Sequence, residues 1–355
     1  CCYNLGQLFT QIGQDIDGES AIDFSGFATS LSSDGSTVAI GAPYNDGNGT
    51  NSGHVRVYKN IGGQWSQIGQ DIDGEAINDF SGRSVSLSSD GNIVAIGTRV
   101  NAGNGINSGH VRVYENISGS WTQIGQDIDG ESAGDQSGFS VSLSSDGNTV
   151  AIGARYNDGN GSWAGHVRIY ENIVGTWSQI GQDIDGEASG DQSGWSVSLS
   201  SDGNTVAIGA PANYGNGTNS GHVRIYENTS GSWSQIGQDI DGEAINDYSG
   251  RAISLSSDAT TVAIGADGND GNGTNSGHVR IYENIGGSWT QIGQDIDGEV
   301  AGDQSGWSVS INSNGSIVAI GALYNDENGS DAGHVRVYEN IGGSWSHIGQ
   351  DIDGE

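Results

Sequence analysis

After each Ser-Gly in this chain, apolar and polar residues alternate one by one. In "GFATSLSS" (26–33) small polar residues trade places with apolar ones, and "RSVSLSS" (83–89) does so more cleanly. A period of two predicts a strand, here called a. Asp34-Gly35 follows, the residue pair of a tight hairpin, and "TVAIGAP" (37–43) is a β-branched strand b. "YNDGNGTNSG" (44–53) meets every criterion of a loop. In "HVRVY" (54–58), strand c, His54, Arg56 and Tyr58 fall on one face and Val55 and Val57 on the other. "NIGG" (60–63) turns the chain into strand d, "QWSQIGQDI" (64–72). No part of this unit has a helical period.

The unit returns every 56 residues. "QIGQDIDGE" stands at 11–19, 67–75, 123–131, 179–187, 235–243 and 291–299, and "HIGQDIDGE" at 347–355. Sevenfold copying points to architecture, since a catalytic site is needed once. Four short antiparallel strands with a Trp and Gly signature describe a propeller blade. The expected fold is therefore all-β: one propeller domain over 1–355 with six four-stranded blades. The repeats run approximately 20–75, 76–131, 132–187, 188–243, 244–299 and 300–355. Residues 1–19 duplicate a d strand, with Phe9 at the place of Trp65 and its copies, and predict an extra N-terminal outer strand. "EAINDFSGR" (75–83) matches "EAINDYSGR" (243–251), and "AGDQSG" recurs at 133–138 and 301–306, the trace of a duplicated three-repeat block.

"FSGFATSLSSDGSTVAIGAP" (24–43) resembles the FG-GAP repeat, the blade unit of integrin α-subunit propellers and of secreted surface proteins. Phe24/Gly26 and Gly41-Ala42-Pro43 carry the likeness, and "GHVRVY" is similar to the strand that follows in that family. The resemblance spans six copies and implies an extracellular, secreted or cell-surface structural or adhesion module. It further implies part of a larger surface or filament-forming glycoprotein, with a protein or glycan partner at the cell surface or in the matrix. A calcium-dependent lectin is the alternative, and a propeller-based polysaccharide-processing enzyme comes third. One departure stands out: the a–b hairpin is a bare "SSDG", without the calcium loop that integrin-type blades often carry there.

Composition narrows the partners. A net charge of −33 with only 11 Lys and Arg argues against nucleic acid as a partner, since its phosphate backbone calls for many of them. It favours divalent cations. No apolar run approaches a membrane span. The absence of Met, and of any visible signal peptide, predicts an excised piece of something longer.

In "DIDGESAID" the acids fall at alternate positions of a Gly-containing loop, as hard cations such as Ca²⁺ require. The candidate ligands are Asp15, Asp17, Glu19 and Asp23; Asp71, Asp73, Glu75 and Asp79; and Asp127, Asp129, Glu131 and Asp135. The later copies are Asp183, Asp185, Glu187 and Asp191; Asp239, Asp241, Glu243 and Asp247; and Asp295, Asp297, Glu299 and Asp303. The same acids also suit caps and ion pairs with the Arg of "HVR", and the repeated His reads as packing.

No nucleophile–base pair stands out, so the chain is expected not to be an enzyme. Positions that vary between copies are the place for a partner surface: Phe27, Arg83, Phe139, Trp195, Arg251 and Trp307, with Tyr44, Arg99, Arg155, Tyr156 and Tyr324. Glycosylation sequons occur at Asn48, Asn116, Asn160, Asn216, Asn228, Asn272, Asn314 and Asn328. The surplus d strand leaves an edge open to another chain. Head-to-tail self-assembly is expected there, reinforced through Cys1 and Cys2 in an oxidising exterior.

Overall fold

The computed structural model describes residues 9–354, so the expected junction at Cys1 and Cys2 lies outside the described residues. The first repeat sets the pattern. Strands β1 (Ala28–Leu31), β2 (Thr37–Ala42), β3 (His54–Ile61) and β4 (Gln64–Gln67) lie side by side in chain order. All pairs are antiparallel, with Ala28 opposite Gly41, Ala42 opposite His54, and Tyr58 opposite Gln67. A short β5 (Ile72–Asp73) returns to β3. It continues β4: Ile68 still donates to the Val57 carbonyl at 2.8 Å. Gly69, at φ 76°, then throws the chain outward before Ile72 resumes opposite Val55. Expected strand d is thus one outer strand with a break in it.

This order recurs in six repeats, and the protein is an all-β propeller of six blades. The chain divides into two compact units. One takes residues 11–204 and 228–233, the other residues 205–227 and 234–354 with residues 9 and 10.

Within the first unit, Ala39, Val55, Val57 and Ile72 of one repeat pack on Leu87, Val94, Ile96 and Trp121 of the next. Val111, Val113 and Ile128 pack the same way on Val150, Ile152 and Trp177. In the second unit, Val279, Ile281 and Ile296 meet Val318, Ile320 and Trp345. The period of two gives each thin sheet an apolar face that it cannot bury alone, so the core lies between sheets. Polar pins cross the same joints. Trp121 Nε1 donates to the Ile68 carbonyl at 2.8 Å, and Gln70 Nε2 to the Trp121 carbonyl at 2.8 Å.

The turn before strand a is strained alike in every repeat. Phe24, Phe80, Gln136, Gln192, Tyr248 and Gln304 all hold φ between 53° and 57°, a left-handed conformation that costs non-glycine residues about 1 kcal/mol or more. From the second repeat on, it presents the following serine to the preceding repeat. Of the expected extra outer strand, residues 11–19 run irregularly along the first repeat. There the Ile12 carbonyl accepts from Trp65 Nε1 at 2.7 Å, and Gln14 Nε2 donates to the Trp65 carbonyl at 3.2 Å.

Candidate cation sites and binding platform

The start of strand c is where three repeated residues converge. His54 Nδ1 stands 3.8 Å from Glu19 Oε2 and 3.9 Å from Asp71 Oδ2. The third repeat repeats it, with His166 Nδ1 at 3.8 Å from Glu131 and 3.9 Å from Asp183. His278, Glu243 and Asp295 do so at 4.0 Å, and His110 lies 3.7 Å from Asp127 with Glu75 in the same group. These separations are too long for hydrogen bonds. They suit ligands about 2 Å from a shared ion, which stand roughly 3.4 Å apart in a tetrahedron. The imidazoles are buried, and neither ring nitrogen of His166 has a hydrogen-bond partner. Burial, helped by the adjacent Arg, pushes His110, His166 and His278 down to about 4, and burial lowers His54. The rings are neutral at pH 7, the form that binds metal. Each of these groups of acids and His can hold a metal ion.

The sixth repeat breaks the symmetry. Glu299, His334 and Asp351 are joined there by Glu327. Glu327 replaces the glycine found at 47, 103, 159, 215 and 271. His334 Nδ1 is buried without a hydrogen-bond partner.

The structure parts the four acids that sequence spacing grouped in each loop. Asp71 accepts from Gln67 Nε2 at 2.6 Å and faces His54 of its own repeat. Asp17 offers its backbone carbonyl to Arg56 at 2.8 Å. Glu19 crosses to His54 and Arg56 of the next repeat. Asp23 is buried as a cap, accepting from the Ser20 amide at 3.1 Å and from Asn45 Nδ2 at 2.8 Å. Asp79 and Asp135 do the same with Asn101 and Asn157. Five sequon asparagines turn out to be pins. Asn48, Asn160, Asn216, Asn272 and Asn328 donate Nδ2 to the carbonyls of Gly74, Gly186, Gly242, Gly298 and Gly354 at 2.6–2.9 Å. A glycan on that nitrogen would remove the pin. Asn116, Asn228 and Asn314 instead accept backbone amides in tight turns.

Within each unit the varied positions pack against one another. In the first unit Arg83 lies 4.3 Å over the ring of Phe27 and 4.8 Å over Phe139. Arg155 lies 3.8 Å over Phe139, 4.3 Å over Tyr156 and 4.5 Å over Trp195. Tyr44 packs on Phe24 in a tilted contact and on Phe80 edge to face, each at 5.0 Å between ring centres. Burial and the neighbouring Arg99 and Arg155 push the Arg83 guanidinium down to about 10. Arg99 Nε is buried without a partner. Three guanidiniums are thus held together in a chain of charge −33. In the second unit Arg251 lies 4.2 Å over Trp307, and Asp267 at 2.9 Å neutralises it. Tyr324 is exposed.

The FG-GAP repeat model matches residues 128–170, 184–226 and 296–338. These three stretches are FG-GAP repeats, as in an FG-GAP repeat propeller. A search of curated proteins gives no match. Among solved structures, this FG-GAP propeller shares its fold with the periplasmic gluconolactonase of Pseudomonas aeruginosa. The TM-score is 0.62 at 16% identity, over 92% of this chain and 86% of that one. A candidate 6-phosphogluconolactonase of Bacteroides uniformis gives 0.65 at 14% identity, over 93% and 86%. Another from Bacteroides fragilis gives 0.62 at 13%, over 93% and 85%. These neighbours correct the expectation that the FG-GAP chain is no enzyme. That expectation took repetition of the architecture as a mark against catalysis, and the same architecture appears under gluconolactonase names.

Sequence reading of these FG-GAP repeats missed the His of "GHVR" as a partner of the acids, and missed Glu327. A signal was present. Glu19, His54 and Asp71 recur together with unchanged spacing, and "NDENG" at 325–329 departs from the "NDGNG" of 45–49 by the one residue that adds a carboxylate.

Proposed function

We propose that the protein is an extracellular FG-GAP module that binds an acidic saccharide and carries divalent cations at the joints between its blades. The observation behind the saccharide reading is the platform of Arg83, Arg99 and Arg155 on Phe27, Phe139 and Trp195. Like charges held together repel, and a carboxylated or phosphorylated ligand relieves that repulsion through charge-assisted hydrogen bonds. The ring faces offer apolar area for a sugar. A glycan or glycoprotein of a cell surface or matrix supplies such groups, in keeping with adhesion. For the cations, neutral imidazole nitrogen with two carboxylates favours zinc- or manganese-like ions over calcium, which prefers an all-oxygen shell.

A second reading is turnover of a sugar lactone. It is supported by the gluconolactonase-named neighbours and by the fourth acid, Glu327, that singles out one cation group. One titration series addresses the platform. Calorimetry with 6-phosphogluconate, gluconate and a uronate oligosaccharide should show saturable, salt-sensitive binding of at least one. Arg83→Ala should weaken it about tenfold or more, the scale of one charged hydrogen bond. Binding that ignores Arg83→Ala and Arg155→Ala would refute the platform. Release of acid from glucono-lactone above the spontaneous rate, lost in Glu327→Gln, would favour the second reading.

A further inference from the structure

The loop between strands b and c carries a left-handed residue near its end in every repeat. That residue is Asn51, Asn107, Asn219 or Asn275, or Asp331 in the sixth repeat, at φ 51–58°. Asn and Asp tolerate this conformation better than other side chains do. The third repeat alone has a tryptophan there, Trp163, at φ 57°. Its backbone is used as in the other copies. The Trp163 amide donates to Asp158 Oδ1 at 2.8 Å, as the Asn51 amide does to Asp46 Oδ1. Its carbonyl accepts from the Gln192 amide at 3.0 Å, as that of Asn51 does from Phe80. Only the side chain departs from the pattern. A bulky residue held in this conformation is strained, and burial does not offset the strain. Trp163 is 56% exposed, where Trp121 and Trp177 of the same unit are 4% and 3%.

The exposed indole has one aromatic neighbour, and that neighbour leads to the platform. Its centroid lies 5.4 Å from the Tyr156 ring, with the planes 36° apart. Tyr156 carries the Arg155 guanidinium at 4.3 Å, and Arg155 also lies over Phe139 and Trp195. All of these residues belong to the first unit. Trp163 thus extends the platform by one ring beyond Tyr156. Only the third repeat pairs aromatic residues at these two places.

We infer that Trp163 and Tyr156 form a stacking subsite for a second sugar unit, so that the platform takes an oligosaccharide rather than a single acidic sugar. This rests on the saccharide reading of the platform. The face of an aromatic ring is the negative side of its quadrupole and attracts the C–H face of a pyranose. Tyr156 stands between Trp163 and the guanidinium. The sugar stacked on Trp163 is therefore a neighbour of the one whose acid group Arg155 holds. Charge limits the breadth of the occupant. In a chain of net charge −33, an acidic protein or nucleic acid would meet repulsion beyond the patch, whereas a short saccharide touches the patch alone.

Calorimetry on the full chain tests this with glucuronate and with a tetrasaccharide in which glucuronate alternates with a neutral hexose. The tetrasaccharide should bind about tenfold tighter or more, the scale of one ring stacked on an aromatic side chain. Trp163→Asn places the residue of four sister repeats in the third, so the fold should hold and melt slightly higher. It should bring the preference for the tetrasaccharide close to one and remove the fluorescence change that this ligand produces at the exposed indole. Arg83→Ala should weaken both ligands and leave the preference in place. A preference that survives Trp163→Asn would overturn the stacking subsite while the platform stands. Binding of neither ligand would overturn the platform reading and the subsite with it. A glutamate-rich peptide that binds more tightly than the tetrasaccharide and needs Trp163 would assign the surface to a polypeptide and overturn the saccharide.

Discussion

A single histidine per repeat carries much of the pH behaviour expected of this protein. In the unfolded chain each imidazole takes a proton near its ordinary value of 6.5, but in the fold His110, His166 and His278 do so only near 4. Between those values the unfolded chain binds more protons. Stability therefore falls as pH drops from about 6.5 to about 4, then levels for these groups. Each histidine accounts for at most roughly 3 kcal/mol. The carboxyls of Glu75 and Glu131, raised by burial, act in the opposite sense just above their ordinary range. Melting of chelator-treated protein from pH 7.5 to 4 should show the loss, and His166→Asn should reduce it. A flat profile through pH 5 would refute burial as the source.

At the scale of the element, one strand position reports what a joint contributes. Leu31 and Leu87 hold the same place at the end of strand a in consecutive repeats. Leu87 is 7% exposed, packed with Val55 and Val57 of the preceding repeat, whereas Leu31 is 59% exposed. Leu87→Ala should cost about 2–4 kcal/mol, and Leu31→Ala under about 1 kcal/mol. Urea unfolding of the two variants checks this, and equal losses would contradict the packing. Both leucines were legible as strand residues from their period of two. The alternation says nothing about which sheet lies opposite, so the difference between them was not.

At the scale of the whole molecule, stability is spread over repeats in series, each joined to its neighbour. An ion at a joint links two repeats through side chains of both, as Glu131 and His166 do. Binding to the native state alone raises stability, by about 2.7 kcal/mol per site at a hundredfold excess over Kd. Zinc or manganese should therefore raise the melting temperature of chelator-treated protein, and more than calcium does. His54→Ala should reduce the number of ions held, counted by elemental analysis after dialysis. A larger effect of calcium, or none from any of the three ions, would refute the ligand set.

What the sequence determined by itself is local and repeated. Period-two runs predicted the strands, Asp34-Gly35 the a–b hairpin and the 56-residue recurrence six blades, while Phe24/Gly26 and Gly41-Ala42-Pro43 carried the FG-GAP likeness. The varied aromatic and Arg positions were also legible, because departure from a repeat marks a residue freed from its common structural task. Only the tertiary structure decided who meets whom. Arg56 reaches the carbonyl of Asp17, and Trp121 reaches the carbonyl of Ile68. Such partners come together by stacking one sheet on the next. Local pattern carries no record of that, since every copy of "DIDGE" offers the same acids. Stacking sends Glu19 forward to the next blade, keeps Asp71 within its own and turns Asp23 inward as a cap. It also lays a glycine carbonyl of the following repeat against Gly41, Gly97 and Gly153 but not against Gly321, although all four stand in the same "VAIG".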